Sequence, residues 1–231
     1  MLVANHSAGM AVAEIFAFMT LWLEHFGEER PIAGFAHPLG FTFFPASAVL
    51  RGVGAVPSTY EAAADTLRRG VPLLIFPGGD YEALRPVWLA NQVDFGGRLG
   101  FLRIAREAGV PIVPMGIRGS HLTVPILWRS RHVLPNALVL PRLVGLKRWA
   151  LTAFGVAGAA ALLLGPAWSL PARIAASFAW LNSPFIFTPI VPATIRMRIG
   201  VPLEPSTLFA DDNLEGALAR VQAAVQGLVD A

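Results

Sequence analysis

Short apolar runs alternate with longer amphipathic or apolar stretches along most of the chain. The runs have the length of buried strands, which we predict at 2–4, 71–76 and 110–116, and residues 196–201 alternate as a further strand. The longer stretches are predicted to be helices, at 8–26, 58–69, 98–108 and 211–229. Strands that alternate with helices favour an α/β fold, with a mixed, mostly parallel sheet flanked by helices. In such folds, ligands bind in the loops beyond the carboxyl ends of the strands.

Several residues mark the ends of these helices. Ser58 and Glu61 are spaced as a capping box, whose side chains satisfy free backbone N–H groups at a helix start. Gly109 is placed to cap the end of the helix before it. The last helix is amphipathic, with an apolar face of Leu214, Leu218, Val221, Val225 and Leu228. Residues 34–54, rich in Phe, Gly and Pro, carry no assignment.

Two uncharged stretches, 149–172 and 174–195, each exceed the roughly 18 apolar residues that indicate a membrane span. Both contain residues that break helices. These are Gly155, Gly158, Gly165, Pro166 and Pro171 in the first stretch and Pro184, Pro189 and Pro192 in the second. We therefore expect 149–195 to be an apolar, membrane-facing segment that inserts into the bilayer surface or re-enters it. A buried core is the alternative interpretation.

Composition and charge distribution point in the same direction. Hydrophobic residues make up 55% of the chain and charged residues only 14%, against about 25% charged in average soluble domains. No acidic residue lies between Glu107 and Glu204, although that stretch holds nine basic residues. They are Arg118, Arg129, Arg131, Arg142, Lys147, Arg148, Arg173, Arg196 and Arg198. A basic, apolar region favours binding to an anionic lipid surface over binding to nucleic acid. Nucleic-acid sites usually mix basic residues with polar and aromatic ones, whereas here the basic residues are separated by apolar runs.

The chain contains no cysteine, which excludes disulfides, thiolate catalysis and cysteine-ligated zinc. This absence fits a reducing compartment, so we expect a protein associated with the cytoplasmic face of a membrane. The start of the chain lacks the basic and apolar regions of a secretory signal peptide. With 231 residues and neither an internal repeat nor a linker, a single domain over 1–231 is expected.

His6 follows the first predicted strand and precedes a predicted helix, which exposes it at the edge of the sheet. Its ordinary pKa near neutrality suits proton abstraction, and a helix N-terminus favours the neutral ring. A histidine that only caps the helix is the alternative.

A second motif, Phe76-Pro77-Gly78-Gly79-Asp80-Tyr81-Glu82, follows another predicted strand. Glycines allow the backbone to approach a ligand closely and leave N–H groups free for an oxyanion or phosphate. Further segments complete the pattern: Asn5-His6-Ser7-Ala8-Gly9, Gly54-Ala55-Val56-Pro57-Ser58, Arg98-Leu99-Gly100-Phe101 and Gly109-Val110-Pro111-Ile112-Val113-Pro114. In order and spacing these segments resemble the glycerolipid acyltransferase superfamily, in particular its monoacylglycerol and diacylglycerol acyltransferase-like branch.

The resemblance implies a glycerol-phosphate acyltransferase-like fold and transfer of a fatty acyl group from acyl-CoA or acyl-carrier protein to a glycerolipid hydroxyl. His6 would be the general base, oriented by a carboxylate, and no metal or other cofactor would be needed. The implied substrate-binding residues are Asn5, Ser7, Pro77, Gly78, Gly79, Asp80, Glu82, Arg85 and Arg98. The implied partners are a lipid acceptor, an acyl thioester and a membrane surface with anionic lipids.

The sequence departs from the superfamily pattern in the acidic partner of the histidine. The superfamily has Asp five positions after His, and this chain has Ala11 there. The nearest acid is Glu14, nearly one helical turn further along, which we expect to orient His6. Asp80 or Glu82 are alternatives, and Glu14 could instead be a structural carboxylate.

A second departure concerns the acceptor. Members that form phosphatidic acid carry Glu-Gly-Thr-Arg after Phe-Pro, whereas this chain carries Gly-Gly-Asp-Tyr, which argues against glycerol phosphate as the acceptor. Arg85 and Arg98 could still bind a phosphate, or could be solvated surface charges. A lysophosphatidic acid acyltransferase of phospholipid synthesis and a catalytically inactive lipid-binding relative therefore remain alternatives. Met1 lies inside the strand that should support His6, so we expect a shortened member or a late start.

Overall fold

The fold is described by a computed structural model covering residues 1–42, 44–143, 145–165 and 167–231. These residues form a six-stranded sheet in the order β3-β2-β4-β1-β5-β8. The strands are β1 (Leu2–Ala4), β2 (Ala33–Ala36), β3 (Ala55–Pro57), β4 (Leu73–Ile75), β5 (Val113–Arg118) and β8 (Arg196–Ile199). All neighbours pair in parallel except β8, which is antiparallel to β5. The predicted mixed, mostly parallel α/β sheet is confirmed.

The helices of the described residues cover both faces of this sheet and continue beyond it. They are α1 (Ala13–Phe26), α2 (Ala46–Gly52), α3 (Tyr60–Arg68), α4 (Gly79–Ala83), α5 (Gly100–Ala108), α6 (Val133–Leu138), α7 (Leu140–Leu143), α8 (Ala153–Leu164), α9 (Leu170–Asn182), α10 (Pro205–Leu208) and α11 (Leu214–Asp230). A separate antiparallel pair, β6 (Ile126–Ser130) and β7 (Trp149–Thr152), lies between α5 and α8 in sequence.

Alternation along β1 divides the core into two layers. Val3 joins a cluster that includes residues of α3, α5 and α11 on one face of the sheet. Leu2 and Ala4 join a second cluster, in which Phe18 of α1 packs on the other face. β1 is therefore buried between the two core clusters, one on each face of the sheet, and the turn that follows it starts from this buried position.

Several boundaries differ from the sequence predictions. The first helix begins at Ala13 and not at residue 8, because Val12 is left-handed (φ 47°) and separates it from a short 3-10 turn, Gly9–Ala11. Thr59, not Ser58, caps α3, since its side chain accepts the N–H of Ala62 at 3.2 Å. The unassigned region 34–54 contains most of β2 and all of α2.

The apolar segment 149–195 contains β7 and a helical hairpin formed by α8 and α9. The Trp180 indole donates to the carbonyl of Gly155 at 2.9 Å, and Ser177 donates to the carbonyl of Ala159 at 3.1 Å. At the tip of the hairpin, large apolar side chains are exposed, Leu164 by 82% and Leu170 by 64%. Pro166 lies outside the described residues. Within the described ranges, none of the helices is long and apolar enough to cross a bilayer.

Candidate active site

The turn that carries His6 is fixed to the neighbouring strand β5. The Asn5 side chain donates to the carbonyl of Ile117 at 2.8 Å and accepts the N–H of Ile117 at 2.7 Å. Asn5 is 2% exposed, so its amide is occupied by backbone and not open to a ligand. This corrects the expectation that Asn5 contacts substrate: it positions the turn.

Ser7 continues the same attachment one residue further along. Its hydroxyl is hydrogen-bonded to the hydroxyl of Ser120, in the 3-10 turn that follows β5. Its N–H donates to Glu14 Oε1 at 2.9 Å. Ser7 is completely buried, so the expected contact with substrate is replaced by two structural ones.

His6 and Glu14 form the central pair of the site. The Nδ1 atom of His6 lies 2.6 Å from Glu14 Oε1, and the Glu14 side chain is fully buried while His6 is 12% exposed. The left-handed residue Val12 turns the chain so that Glu14, in the first turn of α1, points back at the histidine. Of the three carboxylates considered, Glu14 is the one that contacts the ring in the described structure.

This pairing has a direct chemical consequence. A carboxylate beside Nδ1 assigns the ring proton to that nitrogen, which leaves the lone pair of Nε2 free to accept a proton. The second oxygen of Glu14, Oε2, is buried and has no hydrogen-bond partner among the described residues. Glu14 therefore makes its hydrogen bonds to His6 and to the Ser7 N–H through one oxygen, Oε1.

Glu82 holds the backbone of His6 and not its ring. Its Oε2 accepts the His6 N–H at 2.9 Å, and its Oε1 accepts the Asp94 N–H at 3.1 Å. The same Oε1 lies 3.4 Å from Arg85 Nη2. Burial raises the pKa of Glu82 to about 7, although these donors act in the opposite direction. Since Glu82 is 1% exposed, its expected role in substrate binding is corrected to support of the His6 turn.

The Pro77-Gly78-Gly79 turn lies at the carboxyl end of β4, next to β1. A Cβ on Gly78 would lie 2.4 Å from the Glu82 carboxylate, so this glycine makes room for the residue that holds His6. The Gly79 N–H donates to the carbonyl of Phe76 at 3.1 Å, which corrects the expectation that it is free for an oxyanion. The Gly78 N–H remains the candidate donor at this turn.

The two arginines predicted to bind phosphate lie in different environments. Arg85 is 3% exposed, and its guanidinium contacts Glu82 and the carbonyl of Asp94, both at 3.4 Å. It is therefore not a solvated surface charge, and both contacts are made by Nη2, while Nη1 is buried without a hydrogen-bond partner among the described residues. Arg98 is half-exposed, donating to the carbonyl of Pro77 at 3.1 Å and to Asp80 at 2.7 Å.

Two further arginines join Arg98 at this turn, and the sequence analysis did not place them there. Arg148 donates to the other oxygen of Asp80 at 2.7 Å. Arg129 donates to the carbonyl of Tyr81, and its guanidinium lies 4.1 Å from the centre of the Tyr81 ring. Although burial acts to raise it, hydrogen bonds from Arg98 and Arg148 hold the pKa of Asp80 below its usual value. The sequence signal for Arg129 and Arg148 was the basic stretch without acidic residues. That stretch indicated a positively charged region but did not show where its residues lie in the fold.

His121 is a second histidine near the site that the sequence analysis passed over. It follows Ser120, is 4% exposed, and its Nε2 has no partner among the described residues. Burial, with added repulsion from Arg85 and His6, lowers its pKa to about 3. His121 is therefore neutral, so it adds no positive charge beside His6.

The C-terminal part of the apolar segment 149–195 contacts the turn that follows His6. A Cβ on Gly9, in the turn after His6, would lie 3.0 Å from Phe187 and 3.7 Å from Ile126. The turn that bears the histidine therefore packs against residues of β6 and of the 3-10 helix Pro184–Phe187.

Comparison with known proteins gives one structural neighbour. No protein-family model matches the sequence, and no curated protein matches it. Among solved structures, the chain is similar to the 1-acyl-sn-glycerophosphate (LPA) acyltransferase PlsC from Thermotoga maritima, with 18% sequence identity and a TM-score of 0.49. The match covers 98% of this chain and 65% of that one, so the chain spans about two thirds of the length of its neighbour.

Proposed function

We propose that the protein is an acyltransferase that moves a fatty acyl group from a thioester donor to a hydroxyl of a glycerolipid, with His6 as the general base. The observation that carries this proposal is the 2.6 Å contact between His6 Nδ1 and the buried Glu14 carboxylate, at the carboxyl edge of a mostly parallel sheet. The resemblance of the surrounding motifs to glycerolipid acyltransferases supplies the reaction class.

In the proposed reaction, Nε2 of His6 removes the proton of the acceptor hydroxyl as its oxygen attacks the thioester carbonyl carbon. A C–O bond forms, and the carbonyl oxygen takes up negative charge that a backbone N–H such as that of Gly78 stabilises. The C–S bond then breaks, and the imidazolium returns its proton to the departing thiolate. The products are an ester and a free thiol, and the ring of His6 returns to its neutral form.

The direct test is an assay with radiolabelled acyl-CoA and acyl-carrier protein, against monoacylglycerol, diacylglycerol, lysophosphatidic acid and lysophospholipid acceptors. His6→Ala should reduce turnover by at least about 100-fold, the usual contribution of general-base catalysis. The matched control is His132→Ala, which changes an exposed histidine away from the site. Full turnover by His6→Ala would refute the mechanism, and inactivity of the unchanged protein with every acceptor would favour a lipid-binding relative.

A second candidate function, transfer to the phosphorylated acceptor lysophosphatidic acid, is favoured by the arginines at the Pro77-Gly78-Gly79 turn. Arg98 and Arg148 share the single carboxylate of Asp80, and Arg129 lies next to Tyr81, so positive charge exceeds negative charge there. A phosphate dianion would compete well for such guanidinium groups.

Substitution of Arg148 separates the two acceptor classes. Arg148→Gln should raise KM for lysophosphatidic acid by about 10-fold and leave KM for monoacylglycerol unchanged, since a charged hydrogen bond contributes roughly 1.5–3 kcal/mol. Arg131→Gln, at an exposed arginine of the same stretch, is the control. An equal rise for both acceptors would mean that Arg148 supports the fold of the site and does not read phosphate.

We further propose that the reaction takes place at the cytoplasmic surface of a membrane with anionic lipids. The exposed apolar side chains of the α8–α9 hairpin and the basic residues around it support this location. The proposal places the hairpin on the lipid surface, with the acceptor reaching His6 from the bilayer.

A further inference from the structure

A cleft of about 400 Å³ opens at the edge of the sheet, on the side of β1 away from the Pro77-Gly78-Gly79 turn. Its walls come from the end of β5, the loop after it and the segment that leads into β8. They include Arg118, Leu122, Pro125, Val191, Thr194 and Arg196. The cleft thus combines two cations with an apolar wall.

The two arginines are partners across the β5–β8 ladder. Arg118 and Arg196 occupy the same register position on adjacent strands, so their side chains leave the same face of the sheet. Arg196 has neither a hydrogen bond nor an ion pair among the described residues, and Arg118 Nη1 has a long contact of 3.4 Å with the carbonyl of Val229. Neither arginine forms an ion pair with a carboxylate among the salt bridges of the described residues.

The cleft lies level with His6 along the sheet. Ala4, at the end of β1, pairs with Met115, and β5 continues for three more residues to Arg118. The loop that follows lines the cleft with Leu122, while Ser120 in the same loop bonds to Ser7 beside His6. β8 is two strands from β1, a lateral distance of about 10 Å.

Two basic sites therefore flank His6, one beyond β4 and one beyond β5 and β8. Acyl transfer has two substrates, and the second candidate function places the phosphate of a phosphorylated acceptor on the β4 side. We propose that the Arg118–Arg196 cleft binds the phosphate of the pantetheine arm of the thioester donor, an inference that rests on the proposed acyl transfer. The arm is as long as four to five extended residues, roughly 15 Å, which exceeds the lateral distance of about 10 Å between β1 and β8.

The first test compares donors that differ in phosphate. Steady-state kinetics are measured with acyl-CoA, acyl-4′-phosphopantetheine, acyl-carrier protein and acyl-pantetheine, the last of which has no phosphate. Arg196→Gln should raise KM for each phosphorylated donor by about 10-fold to 100-fold, with kcat within twofold of the unchanged protein. KM for acyl-pantetheine should not change, and Arg196→Lys should retain most of the affinity.

Arg196 is the preferred residue to substitute because its side chain forms no hydrogen bond or ion pair with other described residues. Its replacement therefore does not disturb the fold. Arg131→Gln serves as the charge-matched control. An equal rise of KM for acyl-pantetheine, an unchanged KM for all donors, or a rise confined to the acceptor would each overturn the proposal. An effect with acyl-CoA but not with acyl-phosphopantetheine would also overturn it, since the nucleotide phosphates would then be the ligand.

A binding measurement separates this inference from the proposed function. Isothermal titration calorimetry of CoA and of pantetheine is performed on the His6→Ala protein, with and without Arg196→Gln. Weaker CoA binding by about 10-fold or more, with pantetheine unaffected, supports the cleft even if no acyl transfer is found. Equal CoA binding by both proteins overturns the cleft while the role of His6 stands.

Discussion

Glu82 Oε2 accepts the backbone N–H of His6 at 2.9 Å, a contact between residues 76 positions apart in sequence. The contact joins α4, the helix after β4, to the turn after β1, and these two strands are parallel neighbours. The proposed base is therefore held twice, with its ring fixed by Glu14 and its backbone by Glu82. Both carboxylates are almost completely buried, so neither contact competes with bulk water.

Gly78→Ala should break this connection. The new methyl group would lie 2.4 Å from both the Cβ and the Oε2 of Glu82, so the carboxylate must leave the His6 N–H. We expect a loss of kcat of at least 10-fold and a destabilisation of about 1–3 kcal/mol, typical of overpacking. Gly34→Ala is the control, because a Cβ there meets nothing within 4 Å. Activity of Gly78→Ala equal to that of the control would show that the Glu82 contact is dispensable.

Glu82 should also leave a signature in the pH dependence of stability. Its pKa is raised to about 7 in the folded protein, against 4.5 ordinarily, so the folded state binds more protons than the unfolded state between these values. Its contribution to the free energy of unfolding therefore falls as pH rises from about 4.5 to about 7, by at most roughly 1.4 kcal/mol per pH unit. Glu82→Gln should remove that slope.

His121 contributes the opposite slope over part of the same range. Its pKa is lowered to about 3, so the unfolded state binds more protons between pH 3 and 6.5 and stability rises with pH there. The Glu82 effect must therefore be measured as the difference in unfolding free energy between Glu82→Gln and the unchanged protein, by denaturant titration at several pH values. A difference that does not vary with pH would contradict the raised pKa of Glu82.

The alternation of short apolar runs and helices was sufficient to predict the α/β class and four of the six strands, β1, β4, β5 and β8, because strand and helix periodicities are local properties. It did not reveal β2 and β3, which lie in and beside the region rich in Phe, Gly and Pro. The contact between His6 and Glu14 could also be predicted, because the two residues are eight positions apart and the first helix limits where Glu14 can lie. The sequence did not reveal the left-handed Val12, which breaks that helix and aims the carboxylate, because nothing in a valine indicates a positive φ.

The contacts made across the sheet could not be predicted. Arg129 and Arg148 reach the Pro77-Gly78-Gly79 turn from the β6–β7 pair, and their place depends on how that pair folds back on the sheet. The same reason explains Asn5, which looked like a ligand by its position beside His6 but bonds to Ile117, a residue 112 positions away. Residue type and spacing identified polar groups near the strand ends, and only packing decided which of them remain open.

Glu14→Gln tests the orienting carboxylate. The amide keeps the size of the side chain but removes its charge, so it neither fixes the proton on Nδ1 nor stabilises the imidazolium. We expect kcat to fall by about 100-fold to 10,000-fold with KM little changed, as in triads whose carboxylate becomes an amide. Glu24→Gln, at an exposed position on the same helix, is the control. A kcat within twofold of the unchanged protein would assign Glu14 to a structural role.

The tip of the α8–α9 hairpin provides a test of membrane association. Leu164, Trp168 and Leu170 are exposed by 82%, 53% and 64% and lie around the turn between the two helices. Arg173 bonds to the carbonyl oxygens of Trp168 and Leu163, which places a cation beside this apolar tip. Insertion of such side chains into lipid gains roughly 1.5–3 kcal/mol each, and the cation favours anionic headgroups.

The triple substitution Leu164→Gln, Trp168→Gln and Leu170→Gln should therefore weaken co-sedimentation with anionic vesicles by at least 100-fold, while circular dichroism and Tm stay unchanged. The unchanged protein should bind vesicles of phosphatidylcholine and phosphatidylglycerol more tightly than phosphatidylcholine alone, and added salt should reduce this difference. Val201→Gln is the matched control, since Val201 is also 82% exposed but lies outside the hairpin. Equal binding by the triple variant and the control would place the membrane contact elsewhere. Because the proposed acceptor is a lipid, we expect the triple variant to lose activity on vesicle-borne acceptor and to retain it on acceptor presented in detergent micelles.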